Sequence, residues 1–249
     1  MRRFRTPTAV LACVVLGGAS LVGCATGAEP PSSSASSSTL GPEPTSSAPV
    51  APPPSAAVPG EPFDIGPLAG AELGVIGVAH DEVLDVLAAP GEGQPVIATL
   101  GPQDDVVATG NHWLLEGVGI WNEVESGATT GWVDSRSLAW IGPTTDDTAS
   151  VIARLGARPS APTMLELGRA VAGAYGNAEN DPPRVVLTVA PTEGDLGEVT
   201  YDVIGFHDDA TVGARLHVFG TPDGGVFSLK SVEATELCGR GGSPTEPCP

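Results

Sequence analysis

Residues 30–60 hold nine prolines and nine serines among 31 positions, and no aromatic residue, lysine or arginine. A segment of this kind buries too little apolar surface to offset its chain entropy, so it is expected to stay disordered. That expectation removes the first quarter of the 249 residues from any fold and leaves the rest to build the core. The formal net charge of −19 is carried with one lysine, Lys230. Such a surface excludes nucleic acid as a partner, because phosphate recognition needs dense lysine and arginine. It also excludes electrostatic docking on anionic lipid.

The first residues read as an export leader. Arg2, Arg3 and Arg5 form a basic start, and residues 9–22 form an apolar run of 14 residues. That run is shorter than the roughly 20 residues needed to span a bilayer as a helix. It has the length of a secretory signal core. Leu21-Val22-Gly23-Cys24 follows, and this motif resembles the bacterial lipobox. The resemblance implies cleavage before Cys24, acylation of its sulfur, and a lipid-anchored protein on the extracytoplasmic face of the cell membrane. The signal peptide is therefore expected at 1–23 and the tether at 24–61. Loss of three arginines with the leader takes the net charge from −19 to −22. The 36 residues between Cys24 and Glu61 would span about 30–35 Å as a coil and about 110 Å as polyproline II. The Ala/Gly/Pro-rich composition, with ten arginines to one lysine, resembles exported proteins of actinobacterial type.

From residue 74 short apolar runs alternate with Gly, Pro, Asp and Asn turns. Runs at 75–78, 83–86, 95–100, 105–109, 120–124 and 131–133 read as strands. Many short, regularly punctuated strands predict a small all-β barrel or sandwich. Leu84-Asp85-Val86-Leu87-Ala88-Ala89-Pro90-Gly91, Pro95-Val96-Ile97-Ala98-Thr99-Leu100, Trp121-Asn122-Glu123-Val124 and Gly131-Trp132-Val133 together resemble the bacterial SH3-like domain over residues 74–141. This resemblance implies an SH3-like barrel that recognises a cell-wall peptide or an envelope protein. Leu87 stands where that family has an arginine, and Asp85 where it has an asparagine.

Residues 144–249 change period. Thr144-Thr145-Asp146-Asp147 offers a cap for a helix over 146–155, and Pro162-Thr163 starts a second, with Leu165, Leu167, Val171 and Tyr175 inward and Gly176-Asn177 as the stop. Strands are expected at 184–190, 198–206, 211–219 and 226–237. Helices followed by a run of strands predict an α+β domain, with the helices packed on an antiparallel sheet. The stretch at 232–241 resembles the C-terminal parts of actinobacterial lipoproteins of unknown function, which implies no activity. The full expectation is thus a multi-domain chain: leader, tether, SH3-like barrel at 74–141, and α+β domain at 144–249.

With Cys13 in the leader and Cys24 taken by lipid, Cys238 and Cys248 are expected to form a disulfide in an oxidising compartment. No cysteine then remains as a nucleophile, and no His-Glu-x-x-His or Gly-x-Ser-x-Gly run occurs, so no enzyme and no cofactor is expected. His207-Asp208-Asp209 could bind a divalent ion but sits where a polar turn is expected, and His217 reads as a solvent-facing strand residue. Glu193, Asp195 and Glu198 lack the spacing of a calcium loop. Of Trp113, Trp121, Trp132 and Trp140, the pair Trp121 and Trp132 reads as core. Trp113, with Asn111 and His112 in an irregular apolar segment, is the expected ligand-binding residue. An alternative role is a carrier holding a small apolar ligand between helix and sheet, or an envelope enzyme in the α+β domain.

Overall fold

The computed structural model describes residues 59–176, 182–206 and 210–249. The leader, Cys24, most of the tether and the cluster His207-Asp208-Asp209 lie outside these residues.

The first stretch contains β1 (Glu61–Pro62), β2 (Glu72–Val75), β3 (Leu84–Leu87), β4 (Val96–Leu100), β5 (Asp105–Leu115), β6 (Gly119–Ser126), β7 (Thr129–Asp134) and β8 (Leu138–Asp146). The second contains α1 (Thr148–Leu155), β9 (Ser160–Ala161), α2 (Met164–Gly173), β10 (Arg184–Thr192), β11 (Gly197–Ile204), β12 (Thr211–Asp223) and β13 (Val226–Cys238). Their order across the sheet is β10-β11-β12-β13-β8-β2-β5-β6-β7-β3-β4, and every neighbouring pair is antiparallel.

This order corrects the expected fold class. A separate barrel followed by an α+β domain does not form. The described residues are 52 % strand and 11 % helical, with two α-helices and one large antiparallel sheet among them. The physical reason is β8. Leu138 and Ala139 pair with Val75 and Gly74 of β2, while Trp140 to Asp146 pair with β13. One strand therefore satisfies backbone groups on both sides, and the expected boundary between 141 and 144 falls inside it. Thr144, Thr145 and Asp146, read from sequence as a helix start, are the end of this strand. The helix begins at Thr148, whose backbone N–H donates to Asp146 Oδ1 at 2.9 Å.

Apolar clusters follow the sheet, three of them along its length and a fourth beneath Trp113 and Trp132. Val75, Val86, Val106, Val124 and Val133 are fully buried in the first half. Under the helices lie Val151, Met164, Leu167, Val171, Leu216 and Val232. Between them Ile76, Ala139 and Leu237 form a smaller cluster. Each large side chain taken out of water there contributes about 1.5–3 kcal/mol. Helix α2 buries Met164, Leu167, Gly168, Val171 and Ala172, the i, i+3, i+4, i+7, i+8 stripe of an amphipathic helix. Leu165 and Tyr175, expected inward, are half-buried at its margin. Thr163 caps its start, accepting from the Glu166 backbone at 3.2 Å.

A buried ion pair joins the halves. Asp202 on β11 is 0 % exposed and faces Arg215, its cross-strand partner on β12. Arg215 Nε and Nη2 donate to the two carboxylate oxygens at 2.8 and 3.0 Å. Nη2 also donates to the carbonyls of Val75 at 2.7 Å and Pro102 at 3.2 Å, and the Gly77 backbone N–H donates to Asp202 at 2.9 Å. Gly77 sits where the backbone favours glycine. Its φ is +67°, and a Cβ would stand 2.1 Å from the Arg184 guanidinium. A few residues on, the His80 backbone N–H donates to the Leu187 carbonyl on β10 at 2.8 Å.

Candidate functional site

Strand β5 carries the site because it is bent. Its pairing with β6 loses register between Ala108 and His112, then resumes with His112 opposite Asn122 and Trp113 opposite Trp121. Bulges of this type turn a strand and re-aim its side chains. The segment read from sequence as irregular is this bulge and the strand beyond it.

Past the bulge, side chains alternate between faces. On one face Trp113 meets the Trp132 ring edge-on, with centroids 6.4 Å apart and planes at 77°. Both rings are half-buried. They sit on Leu87, Leu115 and Trp121, all buried. Trp121 is the floor at 5 % exposure, and its indole N–H has no hydrogen-bond partner among the described residues. Trp132 lies opposite Leu87 of β3 and Glu123 of β6, which places it on this face. The result is an aromatic surface with a solid base, presenting two indoles in the edge-to-face geometry that aromatic pairs favour.

The three residues expected to bind ligand are separated by the alternation. Trp113 is in the aromatic surface. Asn111 is exposed beside it, and its side-chain N–H donates to Glu123 Oε2 at 2.7 Å; the Thr109 hydroxyl donates to the same oxygen at 2.8 Å. His112 points through to the opposite face. It is 8 % exposed, with Nδ1 3.0 Å from Asn122 Oδ1, and is packed so closely that a Cβ on Gly66 would sit 2.6 Å from its ring. Sequence reasoning placed Trp132 in the core and missed Leu87 and Leu115. The signal was available in the period-two spacing, once the strand register is known.

A short strap borders the aromatic surface. The Trp113 indole N–H donates to the Pro59 carbonyl at 2.8 Å. Glu61 and Pro62 pair antiparallel with Leu114 and Trp113, and the Phe63 N–H donates to the His112 carbonyl at 3.0 Å. Gly60 has φ +96°, and a Cβ there would lie 2.3 Å from the Leu114 carbonyl oxygen and 2.8 Å from Trp113 Nε1.

Elsewhere, Cys238 and Cys248 are bonded, with Cα atoms 5.3 Å apart. Glu236 lies against them and accepts from the Cys248 N–H at 3.2 Å. This acid and two sulfurs could resemble a metal site, but bonded sulfurs offer no thiolate. His217 is half-buried, 3.3 Å from Glu198 through Nε2, and its ring lies tilted at 39° against Phe219 with centroids 4.1 Å apart. Tyr175 donates a hydrogen bond to Asp147 while Arg154 lies 4.5 Å over its ring. Burial first, then that hydrogen bond, pushes the Tyr175 hydroxyl far above its usual range. Tyr201 is also raised, by burial.

The space between helix and sheet, where an apolar ligand was considered, is filled by Val151, Met164, Leu167 and Val171 at 0 % exposure. An open groove of about 800 Å³ lies instead beside the sheet junction, among Ile65, Ile120, Trp140, Ile204 and Phe206, with Arg136 and Arg184 at its border. Among the described residues no helix is long and apolar enough to cross a membrane. In comparisons with known proteins, no family model matches the chain, and no curated protein or solved structure shows significant similarity to it.

Proposed function

We propose that this chain is a lipid-anchored, extracytoplasmic binding protein that recognises a cell-wall peptide or an envelope protein through the Trp113–Trp132 surface. The observation that carries this reading is the aromatic pair itself. Two half-exposed indoles stand on a buried floor of Trp121, Leu87 and Leu115, where a binding surface gains contact area at small entropic cost. The lipobox-like Leu21-Val22-Gly23-Cys24 supports the anchor, and the proline- and serine-rich residues 30–60 support its reach from the membrane. The sequence motifs at 84–91, 95–100, 121–124 and 131–133, which resemble those of SH3-like domains although no separate barrel forms, support the ligand class. A binding role, without catalysis, a cofactor or nucleic acid, accords with cysteines committed to lipid and disulfide and with the strongly negative charge.

Two measurements on the full chain test this. Cys24→Ser is expected to move the protein from the membrane fraction to the soluble fraction without changing its circular dichroism. Pelleting of the serine variant after a salt wash would remove the anchor from the reading. Trp113→Ala and Trp132→Ala are each expected to weaken retention on purified cell wall by about 2 kcal/mol, roughly thirtyfold. Unchanged retention of both variants would exclude the aromatic surface as the binding site.

A further inference from the structure

The chain segment that leads from the tether occupies the edge of the site. The Pro59 carbonyl takes the indole N–H of Trp113, the polar handle that a ligand on this surface would use. Strand β1 is two residues long, both exposed, and lies on the edge of β5 beside Trp113 and Leu114. The strap therefore holds its place through a few main-chain hydrogen bonds and one indole bond, and Glu61 and Pro62 contribute little buried surface. Segments with few buried contacts open at low free energy. The edge they leave is a run of free backbone groups next to two aromatic rings, which is the arrangement that adds an extended peptide as a further strand.

We propose that residues 59–62 are a displaceable internal occupant of the aromatic site, and that the ligand is an extended peptide which replaces β1 on the edge of β5 and offers a backbone carbonyl to Trp113 Nε1. This deepens the binding reading above and rests on it for the location of the site. It goes beyond that reading in two ways. It names the ligand's conformation, and it makes ligand binding exclusive with the seated position of the segment joined to the tether. The glycine of the strap serves this exclusion. Gly60 has no room for a side chain against the Leu114 carbonyl, so any residue larger than glycine there expels the strap.

The test uses the full chain and a synthetic peptide with the sequence of residues 54–62, Pro-Ser-Ala-Ala-Val-Pro-Gly-Glu-Pro. Gly60→Val opens the edge. Glu61→Cys with Leu114→Cys closes it, because these two residues are direct cross-strand partners. The peptide is expected to bind Gly60→Val at least tenfold more tightly than the unchanged chain, read by tryptophan fluorescence. The oxidised double-cysteine variant is expected not to bind it, and to regain binding on reduction while the reduced unchanged chain shows no such gain. Equal peptide binding by the open, unchanged and locked proteins, or binding by none, overturns the proposal. Retention on purified cell wall is measured in parallel. Loss of that retention signal in every protein would overturn the cell-wall reading while the peptide result still decides the strap. Should Gly60→Val unfold, seen as a lost thermal transition, the locked pair alone decides.

Discussion

The two halves of the sheet solve different problems with the same secondary structure. In the C-terminal half, β12 and β13 are each 13 residues long and pair along nearly their whole length. Strand β11 is buried on both faces over 199–203, under helix α2 on one side and against the Val75–Gly77 segment on the other. In the N-terminal half the strands are shorter, the longest is broken by a bulge, and half-exposed tryptophans sit just past the break. Long pairing, interrupted by short register shifts at Leu187–Thr192, Thr211–Gly213 and Phe219–Gly220, carries the polar clamp of the first region. Broken pairing gives the second a surface aimed outward. Long paired strands and the half-exposed aromatic surface thereby fall in different halves.

The sharpest way to break that contrast is at the clamp. Asp202→Ala would leave Arg215 buried without its counter-ion and is expected to cost about 3–5 kcal/mol. All four tryptophans lie between 113 and 140, so their fluorescence reports the N-terminal half during unfolding. The variant should destabilise that signal as well as the far-ultraviolet signal, because Arg215 also holds the Val75 and Pro102 carbonyls. Replacing the pair together, Asp202→Leu with Arg215→Met, should cost much less. A harmless single alanine would show that the apolar clusters, not the clamp, couple the halves.

Within the aromatic surface the contrast is one of depth. Trp121→Ala, which removes the floor, is expected to cost about 3–5 kcal/mol in denaturant unfolding. Trp113→Ala and Trp132→Ala, from half-buried positions, should each cost only about 1–3 kcal/mol. A larger loss for Trp113 than for Trp121 would reverse the assignment of floor and surface.

Reduction of Cys238–Cys248, ten residues apart, is expected to lower stability by about 2–3 kcal/mol. Calorimetry with and without reductant measures it, and an unchanged midpoint would show that the loop is held by other contacts. The smallest effect is alkaline. Tyrosine titrates near pH 10 when unfolded. Tyr175 and Tyr201 are raised above this in the fold, so the stability they confer is complete below pH 10 and declines as pH rises beyond it. Tyr175→Phe should flatten that decline, and an identical pH profile would count against the buried Tyr175 hydroxyl as its source.

Legibility followed pattern strength. The strands expected at 184–190, 198–206, 211–219 and 226–237 are observed at 184–192, 197–204, 211–223 and 226–238, and the period-two repeat of Leu216, Val218, Phe227 and Leu229 made the last two legible. Helix α2 was legible from its Thr163 cap and from Leu167 and Val171, though Leu165 and Tyr175 lie at the margin of its stripe, and the disulfide from arithmetic on four cysteines. Strand β8 was not readable. Its run Leu138-Ala139-Trp140-Ile141-Gly142-Pro143-Thr144-Thr145-Asp146 has a glycine and a proline at its centre and acids at its end, all ordinary marks of a boundary. Long-range pairing with β2 and β13 overrode those local marks. The site was half legible. Trp113 drew notice from composition, whereas Trp132 as its partner depended on a register that no local pattern carries.

The shared strand β8 also decides how this protein can be handled and inherited. A gene cut anywhere across codons 138–146 would not release two modules. It would leave a bare edge on β2, or on β13, or on both, each a row of unpaired backbone groups inviting self-association. The aromatic surface therefore cannot be transplanted with residues 74–141 alone, and a fragment starting at 144 would lack the Trp140 and Ile141 partners of Cys238 and Leu237. Because the Pro59 carbonyl ahead of β1 accepts from Trp113, a cut that keeps the site intact falls before Pro59.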